Sequence, residues 1–70
     1  MIFHVSVLKR GKSGPGLVQV GEVMADDFNA NEYPQGTSYD FYVIEEKWFR
    51  KPTAALVAHY PVGEWVVERA

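Results

Sequence analysis

The sequence predicts an all-β fold, a five-stranded antiparallel meander curled into a small SH3-like barrel. Three observations carry that expectation. Apolar residues recur at every second position near both termini, the period of a half-buried strand. Glycine and proline cluster between those segments and punctuate them as turns do. With no convincing helix to cover it, a small sheet must fold on itself or dimerise to bury one face.

The first strand is set by Phe3, Val5 and Val7 on one face against His4 and Ser6 on the other. Lys9 to Gly16 interrupts it, and Gly11, Gly14, Pro15 and Gly16 predict a hairpin-type loop. Leu17 to Ala25 is again strand-like, with Val18, Val20 and Met24 expected on one side and Leu17 and Val23 on the other. Gly21 in its middle predicts a bulge or sharp bend. From Asp26 to Ser38 the alternation lapses into turn formers, and the segment reads as a long loop. Tyr39 to Glu45 resumes the strand, and apolar groups on both of its faces predict a central position. Ala54 to Tyr60, bounded by Pro52 and Pro61, also reads as a strand; the alternative is a sheet carrying one short helix at 52–59, opened by Pro52. Glu64 to Arg69 closes the sheet. Tyr33-Pro34-Gln35-Gly36 and Tyr60-Pro61-Val62-Gly63 share type I turn chemistry.

Composition bounds the rest. A chain of 70 residues and 7.9 kDa is read as one small domain, 1–70, with a marginal core. A hydrophobic fraction of 47% is too rich for a disordered chain. The absence of cysteine excludes disulfides and thiolate zinc sites and fits a reducing compartment, so a cytoplasmic location is expected. A net charge of −2 excludes a globally basic nucleic-acid binder. The longest aliphatic run, Ala54 to Ala58, is far below the roughly 20 residues of a membrane helix. The N-terminal residues lack the basic start and apolar stretch of a signal peptide.

The basic residues fall in two groups. Lys9, Arg10 and Lys12 lie at the first connection; Lys47, Arg50 and Lys51 lie at the third. In an up-and-down meander these connections share one end, opposite Asp26, Asp27, Glu32 and Glu64 at the other. The expectation is a molecule with one basic and one acidic end. Trp48 and Phe49 sit inside the second basic group. Neighbours on a strand point to opposite faces, so at least one of them is expected to be exposed.

Chemistry-bearing patterns are sparse. His4 and His59, with Asp40 as a third partner, are too few for a zinc site without further ligands. Asp26, Asp27, Asn29, Asn31 and Glu32 have the oxygen density of a calcium loop, but not the EF-hand glycine or spacing. Gly11-Lys12-Ser13 lacks the upstream glycine and following helix of a phosphate-binding loop. No enzyme activity, cofactor or metal is expected. The expected function is a non-enzymatic interaction module that recognises an acidic protein partner through Lys9, Arg10, Lys12, Lys47, Trp48, Phe49, Arg50 and Lys51. The alternative is a nucleic-acid-binding small barrel that uses the same end, although Glu45 and Glu46 would repel phosphate. Marginal core size and unpaired strand edges favour a homodimer.

Overall fold

The computed structural model describes residues 1–70 and is built of strands with no helix. The strands are β1 (Ile2–Gly11), β2 (Gly14–Met24), β3 (Asp27–Tyr33), β4 (Gly36–Glu45), β5 (Thr53–Gly63) and β6 (Trp65–Arg69). They form two three-stranded antiparallel sheets, ordered β2-β1-β6 and β3-β4-β5. All-β was expected; six strands and two sheets replace the five-stranded meander, and no closed SH3-like barrel forms. The chain passes from the first sheet to the second between β2 and β3 and returns between β5 and β6, where β6 pairs with β1 rather than extending a meander. The helix at 52–59 is absent: Thr53 to Tyr60 pairs with β4 along its length.

The core explains this arrangement. Phe3 and Val5 of β1, Val23 of β2, Ala25 after it and Phe41 of β4 are the buried apolar residues. Phe41 is flanked by Phe3 at 5.6 Å, Phe28 at 5.6 Å and Tyr60 at 5.9 Å between ring centroids. Tyr60 in turn meets Trp65 edge-on at 5.2 Å. Edge-to-face and tilted contacts suit the charge distribution of aromatic rings, and here they join the two sheets. Gly21 completes the fit. A side chain at Gly21 would collide with the Tyr60 hydroxyl, and the β1–β2 register shifts opposite it between Val5 and Ser6, the bulge its glycine predicts.

Four further expectations need correction. The loop assigned to 26–38 contains β3, whose Phe28 packs on the core while Asn29, Asn31 and Glu32 face solvent. Backbone pairing with β4 holds this edge strand despite its turn-forming side chains. Second, Gly11 and Gly14 to Gly16 pair within the β1–β2 ladder, so the hairpin is tighter than predicted and turns at Lys12-Ser13. Third, Tyr60 to Gly63 continues β5 and makes no turn, whereas Tyr33-Pro34-Gln35-Gly36 closes the β3–β4 hairpin. Last, Val18 pairs with Val7 and Val23 with Phe3, so the bulge brings Val18 to the face of Val23 and leaves Leu17 on the other, against the expected sides.

Candidate functional site: the β4–β5 tip

Beyond the core, two hairpins run on as two-stranded arms. Their relative placement follows from hydrogen bonds between strand ends. The start of β1 adjoins the end of β4, since Met1 accepts from Ala25 and the next residue, Asp26, donates to Tyr42. The end of β1 adjoins the start of β4, since Leu8 donates to Glu64 and the adjacent Gly63 pairs with Thr37. The β1–β2 and β4–β5 arms therefore leave the core at opposite ends, and the molecule measures 56 × 26 × 12 Å.

This overturns the single basic end. Lys9, Arg10 and Lys12 lie on one arm; Lys47, Trp48, Phe49, Arg50 and Lys51 lie at the tip of the other. Acidic residues are likewise divided. Glu64 stands 3.8 Å from Arg10 at the base of the first arm, while Asp26 and Asp27 lie at the base of the second. The added strand β3 makes the Lys47–Lys51 turn the fourth connection rather than the third, and in an antiparallel chain the first and fourth connections lie at opposite ends.

The β4–β5 tip is the more unusual of the two. Its ladder ends at Glu45 and Thr53, and Arg50 donates to the Lys47 carbonyl at 3.0 Å, closing a four-residue turn. Trp48 and Phe49 are the corners of that turn, and both are exposed, at 87% and 90%. At least one of them is expected at the surface, and both are there because neither lies on a strand. Phe49 has φ of 73°, unique among the non-glycine residues in being positive. The third position of a type II turn demands that geometry and normally takes glycine or asparagine. The two rings pack on each other, 4.4 Å apart at 57°. Lys47 and Arg50 line an open hollow with them, bounded by Glu46 and Pro52. None of Lys47, Arg50 and Lys51 is ion-paired.

The arm is anchored at its base by Asp26, immediately before β3, whose carboxylate accepts from the Ile44 amide at 2.6 Å. Across the same strands Asp27 pairs with Tyr42 and Tyr42 with Leu56. Partial burial of Tyr42, then the neighbouring Asp27 carboxylate, raise its phenol above the ordinary tyrosine range. The two histidines do not meet. His59 Nδ1 lies 2.5 Å from Asp40 Oδ1 across β4 and β5, and His4 pairs with Glu22 in the other sheet. No three metal-ligating side chains converge, and no helix is long and apolar enough to cross a membrane. No family model, curated protein or solved structure matches the chain.

Proposed function

We propose that the protein is a small non-enzymatic interaction module that binds an acidic protein partner through the β4–β5 tip. The supporting observation is the pair Trp48 and Phe49, held in full solvent exposure on a turn whose backbone is unfavourable for phenylalanine. Exposed tryptophan beside arginine is the composition of interface hot spots. Lys47, Arg50 and Lys51, without internal partners, supply charge-assisted contacts to carboxylates, with Arg50 able to make them bidentate. Lys9, Arg10 and Lys12 belong to the far arm and play no part in this surface.

Nucleic-acid binding at the same tip is less well supported. The rings pack against one another and leave no slot for a base between them, and Glu45 and Glu46 precede the cations. The two readings separate in solution. Peptides rich in aspartate and glutamate with one apolar residue should shift amide resonances of residues 46–51. Trp48→Ala should weaken that binding by more than about 2 kcal/mol, roughly thirtyfold. Unchanged affinity in a folded Trp48→Ala protein removes the tip as the site. Oligonucleotide binding that falls steeply with salt would instead favour the nucleic-acid reading.

A further inference from the structure

The chain exposes more surface than a compact monomer of its mass. Its accessible area is 5378 Å², against about 4,400 Å² from the scaling of folded monomers with 7.9 kDa. Its radius of gyration is 14.6 Å, where about 11 Å is usual for this length. The excess, about 1,000 Å², is close to the roughly 800 Å² that each partner buries in a stable protein interface. A second copy is the occupant that removes it from both chains at once.

The strand edges differ in how they are guarded. Natural edges carry lysine, proline, other charges or very short strands to prevent pairing. At the edge of the second sheet, β3 has Asp27 and Glu32 with Asn29 and Asn31 between them. β6 is only five residues long and ends in Glu68-Arg69. β5 is alanine-rich and interrupted by Pro61, and alanine is a poor strand former. By contrast, Gly16 to Val20 of β2 is free of charge and of proline. Its apolar members Leu17, Val18 and Val20 are 52%, 45% and 49% exposed. Pro15 bounds this segment on one side and the bulge at Gly21 on the other.

We propose that the open edge of β2 is a homodimer interface, two copies pairing β2 with β2 antiparallel about a two-fold axis at Val18. Symmetry sets the register. Successive antiparallel pairs alternate between hydrogen-bonded and non-bonded kinds, so a two-fold axis normal to the sheet must pass through a residue paired with its own copy. Val18 is the midpoint of the stretch between Pro15 and the bulge. It places valine against valine on the axis, Leu17 opposite Gln19 and Gly16 opposite Val20. The two β2-β1-β6 sheets become one six-stranded sheet, and the β1–β2 arm gains the third strand that a two-stranded ribbon needs for stability in water.

The chain has no cysteine, so one introduced thiol reports the register cleanly. Residues directly opposite in an antiparallel pair have Cα atoms about 4.5–5.5 Å apart, within disulfide range. We expect wild-type protein to show twice the chain mass by sedimentation at micromolar concentration and above. Val18→Cys should oxidise rapidly to a covalent dimer, whereas Asn31→Cys on the β3 edge should not. Val18→Lys should be monomeric with an unchanged circular dichroism spectrum. A mass of one chain at every concentration overturns the proposal. So does mass that grows without limit, equal cross-linking through Asn31→Cys, or a Val18→Lys variant that stays dimeric. If Val18→Lys fails to fold, the wild-type mass and the cysteine comparison decide alone.

Discussion

Two of the residues with positive φ, Gly36 and Phe49, have opposite roles. Gly36, with φ of 143°, lies where an added Cβ would stand 2.5 Å from the Gly63 carbonyl oxygen. Neither the conformation nor the backbone neighbour can yield cheaply, so Gly36→Ala should destabilise the fold by about 2 kcal/mol or more, measured as a lowered urea midpoint. Phe49, at φ of 73°, touches no core residue and bears comparable strain on an exposed turn. Phe49→Gly should therefore raise stability by up to about 1 kcal/mol while weakening partner binding at the tip. A loss of stability in Phe49→Gly would show that the Trp48–Phe49 contact outweighs the strain. A glycine at such a φ serves the fold; a phenylalanine kept there at a cost suggests service to a partner.

At the scale of elements, the arms separate what pattern reveals from what pairing decides. Strands β1 and β4 were legible because Phe3-Val5 and Tyr39-Phe41 alternate against polar neighbours, and β4 is central as its two apolar faces imply. Strand β3 was not legible, since Asn29, Asn31 and Glu32 carry no apolar period and only its ladder with β4 defines it. Just before β3 begins, Asp26 substitutes for the missing strand by accepting from the Ile44 amide. The bond is exposed, so Asp26→Ala should cost only about 0.5–1.5 kcal/mol. Hydrogen exchange at the Ile44 amide should accelerate, with the Phe41 amide little changed. Equal acceleration at both would mean that the arm and the core open together and that Asp26 is not a local clamp.

For the whole molecule, the aromatic cluster that joins the sheets is small, and the two arms reach past it in opposite directions. That shape divides the surface into a polar-aromatic tip and an unguarded strand edge, which makes partner binding and self-association separable by mutation. The sequence by itself determined the all-β class, the apolar face of β1, the bulge at Gly21 and the aromatic-basic composition of the candidate site. Each of these depends on residues within a few positions of one another: side-chain alternation, glycine chemistry, or simple adjacency. Only the tertiary structure decided that β6 returns to β1, that the two basic groups lie at opposite ends, and that Trp48 and Phe49 both face solvent. Strand order is a property of long-range pairing, in which many arrangements satisfy the same alternation. The choice among them was made by how Phe3, Phe28, Phe41, Tyr60 and Trp65 fit together in one core.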